Sequence, residues 1–176
     1  PDGVLGLTQF GSKGVESILV SRALAQEDDM VSERRVSSTL AHESGHGLLH
    51  AHLFAFQARQ DSLFEGDQDV QQEKILCRKN SIVRDSARSS SLYDGKWWEF
   101  QANKAMGALL LPRPLVLEAV KPYLEKEGSF GTSVLPESMR FTAERSLAEI
   151  FDVNPIVVRI RLKTLFRTEV SIQMNL

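Results

Sequence analysis

Residues 39–50 read Thr39-Leu40-Ala41-His42-Glu43-Ser44-Gly45-His46-Gly47-Leu48-Leu49-His50, and with His52 they account for all four histidines of a 176-residue chain. The His-Glu-x-x-His pattern has a simple geometric content. Residues four apart on an α-helix lie one turn along and about 40° round, so His42 and His46 turn two imidazoles to one side and can take adjacent corners of a tetrahedral metal site. Glu43 falls about 100° from His42, beside such a metal, where a carboxylate suits a general base. The stretch predicts a helix capped by Ser32 or by Ser37-Ser38 and running to about His52.

A catalytic zinc takes three protein ligands and keeps a fourth position open. His50 lies about 80° from His42 and a further turn on, too far along the axis to close the set, and His52 falls on another side. Both read as surface histidines or as supports of a ligand, which leaves a carboxylate to complete the site. Glu65, Asp67, Asp69 and Glu73 sit in a polar stretch where solvated side chains are the default. Glu99 differs. On a helical projection of 97–111 it shares a stripe with Asn103, Met106 and Leu110, flanked by Trp98, Ala102 and Ala105, while Gln101 and Lys104 fall on the far side. A carboxylate on an apolar helix face is costly unless paired or metal-bound, so Glu99 is the expected third ligand. Asn103, one turn later, is placed to fix the tautomer of a ligand histidine. Tyr93, close before Glu99, is a candidate donor to the oxyanion of a hydrolytic transition state.

Composition narrows the context. The chain is 42% hydrophobic and 25% charged, with a net charge of −2, so it reads as an ordinary globular protein without the global positive field that nucleic acid or an anionic membrane would ask for. The single cysteine, Cys77, excludes an internal disulfide and fits a reducing cytoplasm. Cys77 itself reads as a small apolar residue. No apolar run approaches the roughly 20 residues of a membrane span. The start at Pro1, without Met or a leader pattern, suggests that the native N-terminus lies upstream.

The order of elements gives the fold class. Glycine-punctuated β-branched stretches over 4–24 predict two or three strands, of which one over Glu16–Leu24 can offer an edge to an extended peptide. Residues 61–95 are expected to be loops with a short strand. The helix from Trp97 is stopped by Pro112 and Pro114, and a further helix is expected over Leu115–Lys126. Residues 128–132 read as a linker, and 142–166 as two short helices broken at Asp152-Val153-Asn154-Pro155. This is an α+β pattern: a small, mostly antiparallel sheet on a zincin-like active-site helix, with a helical C-terminal part. The expected division is a metallopeptidase-like domain over 1–111 and a helical part over 112–176, packed together as one unit.

Three motifs in order, Thr39–His50, then Trp98-Glu99-Phe100-Gln101-Ala102-Asn103, then Leu109-Leu110-Leu111-Pro112, resemble the ImmA/IrrE family of bacterial metallopeptidases over about residues 4–168. Ser44 stands where that family usually has Leu, and Ala105-Met106-Gly107 replaces its more typical Phe-Ala pair. The resemblance implies a gluzincin-like zinc site of His42, His46 and Glu99, with Glu43 as base. It also implies a regulatory protease acting on a protein substrate such as a helix-turn-helix repressor, in mobile-element control or stress responses. A His2Glu site also accepts manganese, iron or cobalt. The alternative is a metal-containing DNA-binding regulator, in which 142–168 form a helix-turn-helix and Arg159, Arg161, Lys163 and Arg167 face DNA. Against it stands a closing helical pair that packs Leu147, Ile150, Val157, Ile160 and Leu165 on the rest of the chain.

Overall fold

A computed structural model describes residues 4–11, 13–26, 29–64, 74–78, 97–127 and 131–166. Strand β1 (Val4–Gly11) is central in a three-stranded antiparallel sheet, with β2 (Gly14–Val20) on one side and β3 (Lys74–Arg78) on the other. Period-2 alternation explains how β1 is used: Gly6, Thr8 and Phe10 are buried on one face. Gly14 opens β2 at φ 114°, a left-handed conformation that favours glycine. Among the described residues β2 lies at an edge of this sheet, but it ends at Val20, and Arg22–Leu24 belong instead to a short helix, α1 (Arg22–Gln26).

The motif helix, α2 (Met30–Phe64), is longer at both ends than its sequence pattern predicts. Asp29, not a serine, caps it: its carboxylate accepts the Ser32 backbone N–H at 2.8 Å. Ser32 and Ser38 lie inside the helix and are buried, and the Ser38 hydroxyl donates back to the Arg34 carbonyl at 2.6 Å. At the far end no glycine or proline stands between Ala51 and Phe64, so nothing in the chain breaks the ladder at His52.

Helix α3 (Trp97–Leu110) packs across α2, and Pro112 follows it. α4 (Arg113–Val120) is shorter than expected, because Pro122 has no N–H to extend its ladder; the chain tightens into a 3-10 turn over Lys121–Tyr123. It then turns extended, and β4 (Glu125–Glu127) pairs antiparallel with β5 (Thr132–Val134), so the expected linker joins the strands of a hairpin.

The last two helices are α5 (Glu137–Ile150), which starts five residues before the expected Thr142, and α6 (Pro155–Leu165). Asp152 ends α5 in the left-handed region at φ 51°, while the Val153 N–H returns to the Ala148 carbonyl at 3.0 Å, the bond of a Schellman motif. Asn154 then caps α6 by accepting the Ile156 N–H at 3.1 Å, with Pro155 at the first helical position. Val157, Val158, Ile160 and Leu162 of α6 are buried with Leu147 and Ala148 of α5 and Met106 of α3 in one apolar core. That core continues through Leu111, Val116 and Val120 to Ala41 of α2 without a break at residue 112. Two of the basic residues proposed to face DNA are engaged internally: Arg159 forms a two-pronged pair with Glu144 at 2.7 and 2.9 Å, and Arg161 donates to the Leu111 carbonyl at 2.9 Å. Arg167 lies outside the described residues. Among the described residues no helix is long and apolar enough to cross a membrane.

Candidate metal centre

Two helices and one strand build the site. α2 supplies His42, Glu43 and His46, all fully buried, and α3 supplies Glu99 and Asn103. The helices can approach closely because Gly45 lies at their contact. A Cβ there would stand 3.0 Å from both the Ala102 carbonyl oxygen and the Ala105 Cβ.

The two imidazoles point their Nε2 atoms at one another at 3.1 Å. Glu99 places one carboxylate oxygen 3.3 Å from His42 Nε2 and the other 3.7 Å from His46 Nε2. His42, His46 and Glu99 thus form a group that could hold a metal ion. Their spacing fits that use. Ligand bonds of roughly 2.0–2.1 Å at a tetrahedral metal put ligand atoms roughly 3.4 Å from each other. The chemistry of the set fits as well: two imidazole nitrogens and a carboxylate are the donors of the His2Glu zinc enzymes.

The orientation of each imidazole is set at its other nitrogen. His42 Nδ1 meets the Asn103 Oδ1 at 3.0 Å, as the sequence suggests for Asn103. The amide oxygen only accepts, so Nδ1 carries the proton and Nε2 presents a lone pair. His46 Nδ1 lies 3.1 Å from His50 Nδ1, and His50 Nε2 lies 3.0 Å from the Gln101 Oε1. His50 is fully buried, edge-on to the Trp97 ring at 5.4 Å between centroids, and supports a ligand rather than lying on the surface. His52 is exposed. Gln101 departs from the helical projection, because its side-chain amide reaches His50. Burial and the neighbouring His42 push His46 down to about 3, so near neutrality its ring is neutral, the form that binds metal.

Glu43 is held by the sheet. The Thr8 hydroxyl on β1 donates to Glu43 Oε2 at 2.5 Å, and Oε1 is buried without a hydrogen-bond partner among the described residues. Burial raises the Glu43 carboxyl above its ordinary value, against the opposing influence of the Thr8 hydrogen bond and of His42. The strand comes this close because position 6 carries no side chain. A Cβ on Gly6 would lie 2.6 Å from Thr39 Cγ2 and 2.8 Å from Glu43 Oε1. No motif marks Thr8 or Gln101; the one signal for Thr8 is a hydroxyl residue at the core-facing position between Gly6 and Phe10. Tyr93, Glu65, Asp67, Asp69 and Glu73 lie outside the described residues.

No family model matches the chain, and neither does any characterised protein or solved structure.

Proposed function

We propose that this protein is a zinc-dependent endopeptidase of regulatory type, related to the ImmA/IrrE group, which hydrolyses a peptide bond in a protein substrate such as a helix-turn-helix repressor. The observation that supports it best is the convergence of three donor residues, with atoms 3.1–3.7 Å apart, beside a buried carboxylate that keeps one oxygen unengaged among the described residues. His42, His46 and Glu99 would hold the metal, which when bound acidifies water and polarises a carbonyl. Manganese, iron or cobalt would suit the same donors.

Glu43 supplies the proton transfers. With Oε2 tied to Thr8, Oε1 accepts a proton from the attacking water and later returns it to the leaving amine. Burial suits the carboxyl to both halves of that exchange, because a raised proton affinity brings a carboxylate closer to the working pH of a base. The outer edge of β2, which pairs with no further strand among the described residues, can pair an extended substrate, and the peptidase reading accounts for Glu43 as well as for the ligands.

Glu43→Gln tests the assignment, because it preserves shape and hydrogen bonding to Thr8 but cannot take up the proton. The variant is expected to bind one zinc per chain as the wild type does and to lose cleavage of a cognate repressor by at least about 100-fold. Cleavage at the wild-type rate would remove Glu43 from the mechanism.

A further inference from the structure

His50 has no place in the ligand set, yet it is fully buried between a ligand histidine and a glutamine. We propose that His50 and Gln101 are positioning residues which, through a directional hydrogen-bond chain, hold His46 in the one tautomer able to bind a metal. The proposal rests on the reading of His42, His46 and Glu99 as a metal site.

The direction of the chain follows from which atoms can donate. Gln101 Oε1 only accepts, so His50 Nε2, at 3.0 Å, must carry a proton. A neutral imidazole has one N–H, so His50 Nδ1 is then a lone pair and can only accept. His46 Nδ1, 3.1 Å away, therefore carries its proton and leaves Nε2 as the lone pair facing His42 and Glu99. Reversing the chain reverses the outcome. Were His50 to donate from Nδ1, His46 would carry its proton on Nε2. That N–H would lie 3.1 Å from the lone pair of His42 Nε2, making a His–His hydrogen bond where a metal should sit. A single acceptor on α3, two links away, thus selects between a ligand and a closed pair of histidines. The edge-on contact with Trp97 holds the His50 ring in the plane that both links need.

Three variants of the full chain separate positioning from packing. His50→Phe keeps a ring against Trp97 and removes both hydrogen bonds; His50→Asn keeps an acceptor near the Nδ1 position; Gln101→Met removes only the terminal acceptor. Zinc affinity is read by competition with a chromogenic chelator, the ligand field by the visible spectrum of the cobalt(II) form, and the His46 tautomer by long-range 1H–15N correlation on metal-free protein. His50→Phe is expected to bind zinc about 10- to 100-fold more weakly with a shifted cobalt spectrum, and Gln101→Met to lose affinity in the same direction. His50→Asn is expected to recover most of the loss. Wild-type His46 is expected to show its proton on Nδ1. Unchanged affinity in both His50→Phe and Gln101→Met, or a proton on His46 Nε2 in the wild type, overturns the proposal. If His50→Phe does not fold, Gln101→Met decides, since it leaves every imidazole in place. Failure of the wild type to take up zinc or cobalt while His46 carries its proton on Nδ1 would sink the metal reading and leave the hydrogen-bond chain standing.

Discussion

The molecule has two interiors of opposite character. Around α5 and α6 the buried side chains are Ala143, Leu147, Ala148, Val157, Val158, Ile160 and Leu162, all apolar, and the one buried charge on these helices, Glu144, is paired with Arg159. Between β1, α2 and α3 the buried side chains include, beside apolar ones such as Phe10 and Ala102, the polar Thr8, Thr39, His42, Glu43, His46, His50 and Asn103. Both regions exclude water, yet only the first gains free energy simply by doing so. In the second, each polar group needs a partner, and Glu43 Oε1 and Thr39 Oγ1 are buried with none among the described residues. The helical part can thus supply stability that the site region spends on holding reactive groups away from water.

The largest expected effect breaks the stable side of this comparison. Leu147→Ala, at a fully buried position, should destabilise the chain by about 2–5 kcal/mol in denaturant unfolding and leave zinc affinity of the folded protein within about twofold. A large loss of affinity would show that the two interiors are not separable. A smaller effect of opposite sign is expected at the site. Glu43→Gln in metal-free protein should raise stability by on the order of 1 kcal/mol, because it removes a buried ionisable group with an unpartnered oxygen. A loss of stability would mean that the carboxylate is a structural asset. The third is a slope with pH, measured in the Glu43→Gln background so that no Glu43 carboxyl opposes it. His46 takes a proton at about 3 in the folded chain and at about 6.5 in the unfolded one, so its contribution is complete above pH 6.5 and is lost as pH falls toward 3. The metal-free protein should lose at most about 1.4 kcal/mol per pH unit across that window from this group. A flat profile would show that His46 is more exposed to water than its surroundings imply.

The same contrast explains what could be read from the sequence. His42, Glu43, His46, Glu99 and Asn103 are each placed by helical periodicity, a local property, and the two helices carry them to one point. The breaks at Pro112 and at Asp152–Pro155 were legible for the same reason. Thr8 and Gln101 were not, because their roles arise from contacts 35 and 51 residues away in sequence, between Thr8 and Glu43 and between Gln101 and His50. The cap of α2 was misplaced because several residues near its start, Asp29, Ser32, Ser37 and Ser38, suit a cap chemically, and only the tertiary path selects Asp29. Helix α2 was cut short at His52 because its pattern weakens there, although its propensity does not.

The contact of Gly45 with Ala102 has a mechanical consequence. Two residues of the candidate metal group ride on one helix and the third on the other, so the contact acts as a spacer that would set the gap an ion has to bridge. Coordination bonds tolerate deviations of about 0.2 Å, and an added methyl group, 3.0 Å from Ala102 O and Ala105 Cβ, would ask these neighbours to give by a shift of at least that order. Drift at position 45 would therefore be felt first as a change in which ions fit, before the fold itself gave way.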